Sequence, residues 1–391
     1  MVIFRAARIL TPEFDIAHSW MAVEDGRVTE ILSGSDGQFL SGASLFDFGD
    51  GVIVPGYIDL HIHGNAGYDV MDDRAEALPT IERMLARHGV TGYFPTTVSA
   101  PLDSTLHALD RLAKAIEQCQ RGDAGQPGRA TPLGIHLEGP FISHACRGVH
   151  PSELLLPPRI ETFERFWQAA RGHIRMMTIA PELDGALELI RAAAARGVCV
   201  SLGHSDADFS VTESAIAAGA THATHVFNAM RPLAHRDPGI LGAVLSNDRV
   251  SADLIVDGIH LDPSIVKLVA RCKGAERTVL ITDATAATGM PDGRYRLGSI
   301  DVDVKNGACT SGGKLAGSVL TMDKAVHSFS HFSGCTMSEA IAAASRNPAR
   351  LARLSNKGEL KVGADADFIV LNNDGDVTRT FIRGVECVRS V

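Results

Sequence analysis

The stretch Val54-Pro-Gly-Tyr-Ile-Asp-Leu-His61-Ile-His63-Gly64 contains a Pro-Gly turn, a short apolar strand and two histidines. Side chains two residues apart in a strand point to the same face, so His61 and His63 present two imidazoles to one side. Imidazole is a common ligand of divalent metals, and two on one face form half of a metal site. An isolated His-x-His is more often a polar pair at a strand end, so the interpretation depends on the residues that follow.

The chain after this stretch alternates between strand and helix. Helical stretches at 75–88, 104–121, 184–196 and 263–273 carry apolar residues at three- and four-residue spacing. Eight strands alternating with helices predict the α/β class and a (β/α)8 TIM-like barrel. A doubly wound sheet is the alternative, but no Gly-x-Gly-x-x-Gly follows the first strand, which disfavours its dinucleotide-binding version. The seven further strand-like segments are 91–98, 132–137, 174–179, 198–202, 221–227, 250–256 and 278–281.

Both ends of the chain predict short strands outside the barrel. After the eighth barrel strand, the sequence predicts two more helices that end near 347–348. We therefore expect a small β-sandwich domain formed from both termini, residues 1–51 and 355–391, and a barrel domain over 52–354. The terminal strands are predicted at 2–4, 19–23, 26–32, 367–371 and 378–384.

The composition of the 391-residue chain is that of an ordinary globular protein, with 45% hydrophobic and 21% charged residues. A formal net charge of -9 gives no electrostatic reason to expect nucleic acid or an acidic membrane surface as a partner. Seven cysteines without a Cys-x-x-Cys pair argue against a disulfide framework. The first residues lack the order of a signal peptide. We expect a soluble cytoplasmic protein.

Further candidate ligands lie at the carboxyl ends of other predicted strands, where barrel enzymes place their active sites. Glu138 ends the third strand, His204 follows the fifth, His225 lies on the sixth, and Asp283 ends the eighth. Any one of them alone is more often a buried histidine bonded to backbone or an aspartate that caps a helix. Their occurrence in register with the His-x-His pair favours a metal site, because divalent ions require converging imidazole and carboxylate ligands.

These motifs resemble the amidohydrolase superfamily. Many of its members bridge two metals with a carboxylated lysine on the fourth strand, but this chain has no lysine between Lys114 and Lys267. Glu138 in HLEGPF takes that place, and GHSDA, THVFNAM, DGIH and LITDATAATG are similar to motifs of the N-acetylglucosamine-6-phosphate deacetylase family. The resemblance extends from PGYIDLHIHG to KGELKVGADADFIVL, which is nearly the whole chain.

The resemblance implies a centre that binds one or two divalent metals. Glu138, His204 and His225 match the ligands common to the family. His61 and His63 match the ligands of a second metal, which some members have lost. Histidine and carboxylate ligands suit zinc, iron, manganese or cobalt.

The resemblance also implies roles in catalysis and substrate binding. Asp283 matches the catalytic acid and base, and His150 matches the histidine that contacts the acetyl carbonyl. Arg236 matches an arginine that reaches the phosphate from the neighbouring subunit, which implies a homodimer; the alternative is a surface arginine that pairs with Asp237. No role is assigned to His144 or Cys146. The residues that match substrate contacts are Val149, Asn228, Ala229, Arg236, His260, Leu315, Ala316 and Gly317, with Ala316 where the family often has serine.

The function that follows is metal-dependent removal of the acetyl group from N-acetyl-D-glucosamine 6-phosphate, which gives glucosamine 6-phosphate and acetate. Asp283 would accept a proton from the attacking water and deliver it to the leaving amine. Stereochemistry at C4 stays open, so N-acetylgalactosamine 6-phosphate is an alternative substrate. An N-acyl-amino-acid deacylase or a cyclic-amide hydrolase would use the same kind of metal centre. A catalytically inactive scaffold would be expected to have lost ligands that are all present here.

Overall fold

A parallel eight-stranded barrel forms the centre of the structure, a computed structural model that describes residues 1–34, 43–121 and 128–387. Neighbouring strands pair in parallel from the first to the eighth. A parallel bridge from Ile62 to Ala284 brings the end of the eighth strand beside the first. The predicted (β/α)8 barrel is confirmed. Its strands are Tyr57–Ile62, Val90–Thr97, Ile135–Glu138, Ile174–Ile179, Cys199–Leu202, Ala220–Ala223, Ser251–Ile255 and Thr278–Ile281.

Helices cover the outside of the barrel and bury one apolar face each, as Ile81 and Leu85 of the first helix show. Seven of them precede the end of the eighth strand: Ala77–Arg87, Leu102–Arg121, Ile160–Ala169, Ala186–Ala195, Phe209–Ala218, Gly239–Ser246 and Pro263–Arg277. The last continues beyond its predicted end, across a kink at Gly274 with φ 67°. A short 3-10 helix covers Ser152–Leu154. None of the described helices combines the length and the hydropathy that a membrane span requires.

The segment after the eighth strand differs from the prediction in two respects. Three helices, Met322–Ser333, Met337–Ala344 and Arg346–Leu351, stand where two were predicted. Ser345, with φ -132° and ψ -76°, separates the last two, and Pro348 lies in the first turn of the new helix, where its missing N–H is tolerated.

A small antiparallel sheet precedes these helices and was not predicted. Its strands are Gly293–Leu297, Ile300–Lys305, Ala308–Ser311 and Lys314–Leu315. Asn306-Gly307 and Gly312-Gly313 form its last two turns with positive φ at every residue, as two-residue hairpin turns require. The apolar side of this sheet packs on Val98 beside the barrel mouth.

Strands from both ends of the chain form one eight-stranded sheet beside the barrel. Val52–Pro55 pairs in parallel with Val2–Leu10 and antiparallel with Phe368–Leu371, so it joins the two termini. The rings of Phe368 and Phe381 stack at 4.5 Å in its core. The predicted β domain from both termini is confirmed, while the exact partition of the chain stays a prediction. The other strands are Asp15–Glu24, Arg27–Ser33, Ser44–Asp47, Val377–Ile382 and Val385–Glu386.

Glu82 places a carboxyl group inside the contact between the first helix and the second barrel strand. The side chain is buried, accepts a hydrogen bond from the Tyr93 hydroxyl at 3.2 Å, and lies 3.6 Å from the Arg129 guanidinium. Burial raises the pKa of Glu82 to about 7, although Arg129 and Tyr93 favour its ionised form. The folded protein therefore keeps the proton of Glu82 to a higher pH than the unfolded chain does.

Glu82→Gln is predicted to change the free energy of unfolding more favourably at pH 8 than at pH 5. A carboxyl whose pKa is raised in the folded state makes the free energy of unfolding fall as pH rises from about 4.5 through 7, by at most about 3 kcal/mol. Because glutamine does not titrate, the free energy of unfolding of the variant does not fall with pH for this reason. Urea unfolding of both proteins at the two pH values measures it, with the exposed Glu161→Gln as control. A stability difference that is equal at pH 5 and pH 8 would contradict the prediction.

Candidate metal centre

The histidines of the first strand lie together at the barrel mouth, as the alternation of side chains predicts. The Nε2 atoms of His61 and His63 are 3.2 Å apart. The Oε2 atom of Glu138 lies 3.3 Å from the first and 3.1 Å from the second. All three side chains are buried. The ends of the first and third strands thus form one group of three potential ligands.

A second group of three uses the other oxygen of the same carboxylate. Glu138 Oε1 lies 3.3 Å from His204 Nε2 and 3.2 Å from His225 Nε2, and these nitrogens are 3.1 Å apart. The fifth and sixth strands supply the two histidines. Glu138 therefore stands between the two histidine pairs and offers one oxygen to each.

The spacing of these atoms fits a bound divalent metal. Ligands at 2.0–2.1 Å from a tetrahedral ion are about 3.4 Å from one another, close to the separations within both groups. His63 Nδ1 lies 3.0 Å from the Thr96 carbonyl and His204 Nδ1 lies 3.1 Å from the Cys146 carbonyl. A carbonyl only accepts hydrogen bonds, so these Nδ1 atoms carry hydrogen and the Nε2 lone pairs face the centre. The donor set is that of a site for a divalent metal.

The electrostatics of the centre favour positive charge between these side chains. Burial alone raises the pKa of Glu138, but His61, His204 and His225 outweigh it and hold that pKa well below its usual range. Burial lowers the pKa of His225, yet its hydrogen bond to Glu138 and the charge of that carboxylate bring it to about 9. The centre thus stabilises an ionised carboxylate together with a cation.

Asp283 faces the histidine pair of the first strand from the end of the eighth. Its Oδ1 atom lies 3.2 Å from His63 Nε2 and 3.6 Å from His61 Nε2. The backbone holds it there, because the Asp283 N–H donates to the His61 carbonyl at 2.9 Å. Burial raises the pKa of Asp283, but His61 and His63 outweigh it and bring that pKa to about 2. Asp283 is therefore an ionised carboxylate at neutral pH.

Two of the predicted metal ligands and the predicted acid and base have a left-handed backbone conformation. His204 has φ 48°, His225 φ 27° and Asp283 φ 49°. Each such residue costs on the order of 1–3 kcal/mol unless the surrounding structure enforces it. The fully buried Asp253 does so at His225, because its carboxylate accepts a hydrogen bond from the His225 N–H. The strained positions coincide with the side chains that must turn toward the centre.

His150 lies beside the centre, with its Nε2 atom 3.9 Å from Glu138 Oε2. The Ser99 N–H donates to His150 Nδ1 at 3.3 Å, and the Ser99 hydroxyl lies 2.8 Å from the same nitrogen. A backbone N–H can only donate, so Nδ1 is an acceptor and Nε2 carries the hydrogen. Burial lowers the pKa of His150 to about 3, with a further contribution from His204, so the ring is neutral.

A cavity of about 500 Å³ opens from the centre to solvent. It brings together all the predicted substrate contacts except Arg236, which is exposed and lies outside it. The suggested pairing of Arg236 with Asp237 is wrong, because Asp237 pairs with Arg231 at 2.6 Å. Within the described residues, the Arg236 side chain has no hydrogen bond or ion pair. The predicted residues that line the cavity are Val149, Asn228, Ala229, His260, Leu315, Ala316 and Gly317.

Several lining residues were missed by the sequence analysis. Lys314 is the one lysine or arginine among the residues that line the cavity, and it lies on the unpredicted sheet next to Leu315. Met230, Ile255 and Leu297 add apolar wall. Asn306-Gly307 is a local hairpin signal that could have revealed the sheet and hence Lys314.

Cys146, which had no assigned role, also lines the cavity and orients His204 through its carbonyl.

The barrel, with histidines and a shared carboxylate at the carboxyl ends of its strands, defines a metal-dependent hydrolase of the amidohydrolase class. The sequence profile of the amidohydrolase family matches residues 52–387, and the chain belongs to that family.

Within this family, the chain is similar to deacetylases of N-acetylated hexosamine 6-phosphates. The N-acetylglucosamine-6-phosphate deacetylase of Lysinibacillus sphaericus is 38% identical over 355 residues, covering 90% of this chain and 88% of that protein. The N-acetylgalactosamine-6-phosphate deacetylase of Escherichia coli O157:H7 is 38% identical over 384 residues, 98% of each chain. The crystal structure of N-acetyl-D-glucosamine-6-phosphate deacetylase from Mycobacterium smegmatis matches with a TM-score of 0.91 at 34% identity, covering 99% of this chain and 100% of that one. The resemblance drawn from the motifs is confirmed.

Substitutions in the two groups of ligands are predicted to remove different metal ions. Glu138→Gln should abolish tight binding of the principal metal, because a weak neutral ligand replaces the shared carboxylate. His61→Asn combined with His63→Asn should remove only a second metal. Elemental analysis of dialysed protein counts metal per chain, and His260→Asn, in the same cavity but outside both groups, is the control. Equal metal content in all these proteins would show that the ions bind elsewhere.

Proposed function

We propose that the chain is a metal-dependent deacetylase that converts N-acetyl-D-glucosamine 6-phosphate and water to glucosamine 6-phosphate and acetate. The observation that carries the proposal is the position of Asp283 and His150 on the wall of one cavity beside the shared Glu138 carboxylate. Relatives at 38% identity are named for deacetylation of N-acetylated hexosamine 6-phosphates. The second candidate is N-acetylgalactosamine 6-phosphate, because one of these relatives, matched over 98% of its length, is named for it.

Glu138, His204 and His225 would hold the principal metal, and His61 and His63, with Glu138, a second one. A bound divalent cation lowers the pKa of a water ligand and polarises a carbonyl, which supplies nucleophile and electrophile at neutral pH. The donor set suits zinc, iron, manganese or cobalt.

Asp283 moves the proton in this proposal. As an ionised carboxylate beside His63 it can accept a proton from the attacking water. The protonated Asp283 then donates that proton to the amide nitrogen as the carbon–nitrogen bond breaks. Without this donation the amine would leave as an unstable anion. The proton therefore goes from water to Asp283 Oδ and then to the leaving nitrogen.

His150 stabilises the charge that develops on the acetyl oxygen. The contact with Ser99 places the hydrogen on Nε2, the nitrogen that faces Glu138 and the cavity. A neutral imidazole with this hydrogen donates to the carbonyl and more strongly to the oxyanion of the tetrahedral intermediate. His150 thus acts as a hydrogen-bond donor, and the role as base is left to Asp283.

The sugar phosphate would occupy the same cavity, which Asn228, Ala229 and His260 line. Asp257 orients His260 through a contact of 2.7 Å between its carboxylate and His260 Nδ1. Arg236 would contact the phosphate of the neighbouring subunit in a homodimer, and its lack of a partner among the described residues of its own chain supports this. A guanidinium can form two parallel hydrogen bonds to a phosphate.

We further propose a cytoplasmic location. All seven cysteines are free thiols, as a reducing compartment would maintain them.

The test is turnover of N-acetylglucosamine 6-phosphate, N-acetylgalactosamine 6-phosphate and unphosphorylated N-acetylglucosamine by one metal-analysed sample. The proposal expects the highest kcat/KM for the first. A higher value for the galactosamine epimer would establish the second candidate instead. Metal-loaded protein that hydrolyses none of the three would refute both.

Asp283→Asn is predicted to keep the fold and the bound metal while kcat falls at least about a hundredfold, because the positioned proton carrier is lost. Release of acetate measures turnover, and elemental analysis of the same sample verifies the metal. Asp374→Asn is the matched control, because that carboxylate is exposed and lies outside the cavity. Near-normal turnover by metal-loaded Asp283→Asn would remove Asp283 from the mechanism.

Arg236→Ala is predicted to lower kcat/KM for the phosphorylated substrate by roughly ten- to a thousandfold, because a charge-assisted contact to phosphate is lost. Turnover of unphosphorylated N-acetylglucosamine should change little. Equal losses on both substrates would mean that Arg236 acts through folding.

Mixing Arg236→Ala with Asp283→Asn subunits shows whether Arg236 contacts the substrate phosphate in the neighbouring subunit or in its own chain. If Arg236 serves the neighbour, half of the sites in each mixed dimer carry neither defect, and activity returns. No recovery after verified subunit exchange would mean that Arg236 serves its own chain.

A further inference from the structure

A second large cleft, of about 840 Å³, lies at the opposite end of the barrel from the metal centre. Arg175, the second residue of the fourth strand, and Gly197, just before the fifth, place it at the amino ends of the barrel strands. Turns of the terminal sheet around Gly26 and Arg383 form its other side. None of the proposed catalytic or metal-binding residues lines it.

Positive charge dominates this basal cleft. Three acidic residues, Asp25, Glu82 and Asp365, also line it. The excess of cationic over acidic side chains is local, because the whole chain carries a formal net charge of -9. A cationic concavity in an acidic protein attracts small anions selectively. The six cationic lining residues are Arg27, Arg129, Arg175, Arg353, Lys357 and Arg383.

Three of the guanidinium groups are not neutralised by the acidic residues. Asp365 is engaged by Lys357, whose Nζ lies 2.9 Å from its carboxylate. Within residues 1–34, 43–121 and 128–387, no carboxylate lies within ion-pair distance of Arg175, Arg353 or Arg383. Among the same residues, the only hydrogen bond donated by the Arg383 guanidinium goes to the Asp25 carbonyl, at 3.3 Å. These guanidiniums retain donors for a ligand.

Two of these arginines have a positive φ. Arg353 has φ 57° and Arg383 has φ 50°, the left-handed region that glycine and asparagine adopt more easily. Glycines make room for the side chains. A Cβ on Gly26 would lie 2.9 Å from Arg383 Nε, and a Cβ on Gly134 would lie 2.3 Å from Arg175 Cγ. Arg353 follows the end of the helix Arg346–Leu351, and Arg383 lies in the turn between Val377–Ile382 and Val385–Glu386, so a helix end and a hairpin turn fix the direction of both side chains.

We propose that the basal cleft binds a small organic phosphate, with Arg175 and Arg353 as the principal phosphate contacts. Planar guanidiniums match the oxygens of a phosphate, and a volume of this size holds a nucleotide or a sugar phosphate. The half-buried side chains of Leu133, Leu354 and Ile382 also line the cleft and would contact the carbon part of the ligand. This site is separate from the metal centre, so the proposal does not depend on the proposed deacetylation.

Phenyl phosphate, which joins one phosphate to one apolar ring, is the probe. Isothermal titration of the metal-loaded protein should show saturable binding that is tighter than binding of inorganic phosphate. Arg175→Gln with Arg353→Gln should raise the Kd for phenyl phosphate at least about tenfold. Arg294→Gln, an exposed arginine outside the cleft, and Arg236→Ala should leave that Kd unchanged. Turnover of the acetylated substrate by the double variant should stay at the wild-type level, which verifies its fold.

Arg353→Gly separates binding from folding. Glycine removes the guanidinium but suits the left-handed backbone, so this variant should weaken phenyl phosphate binding while its melting temperature equals or exceeds that of the wild type. A double variant with an unchanged Kd, or no saturable binding to wild type up to about 10 mM, would overturn the proposal. A melting temperature of Arg353→Gly well below wild type would mean that Arg353 is structural.

Discussion

The structure depends on one carboxylate that divides its two oxygens between two histidine pairs. Glu138 ends a central barrel strand, and its side chain is buried where its charge is stable only beside cations or hydrogen-bond donors. The first strand must therefore close on one side of it and the fifth and sixth on the other. Closure of the barrel through the backbone contact of Ala284 with His63 completes the ring and carries Asp283 to the same point. Fold and site are consequences of the same convergence.

Much of this arrangement could be predicted from the sequence, because it follows from two periodicities. Alternation along a strand places His61 and His63 on one face, and the carboxyl ends of parallel strands meet at one end of a barrel. The left-handed backbone at His204, His225 and Asp283 could not be predicted. Residue type does not encode it, since tertiary hydrogen bonds such as that from the His225 N–H to Asp253 enforce it.

Features formed by residues far apart in the chain escaped prediction for a similar reason. The basal cleft joins a barrel strand, the end of a helix and a turn of the terminal sheet, and no local pattern connects Arg175, Arg353 and Arg383. Lys314 was not predicted for another reason, because its strand has too few residues to show a periodicity. The glycine pair before it is nevertheless a recognisable turn signal. Local patterns specify elements, whereas the surfaces between elements come from packing.

The strand Val52–Pro55 has a consequence for synthesis of the protein. One residue, Gly56, separates it from the barrel strand that carries His61, and one of its two neighbours in the sheet is the much later strand Phe368–Leu371. Synthesis must therefore reach Phe368–Leu371 before this segment, which leads into the first metal ligands, is paired on both of its edges. A nascent chain halted earlier would expose that unpaired edge to chaperones and proteases. Completion of the sheet next to the first metal ligands is thus a late event in the folding of each newly made molecule.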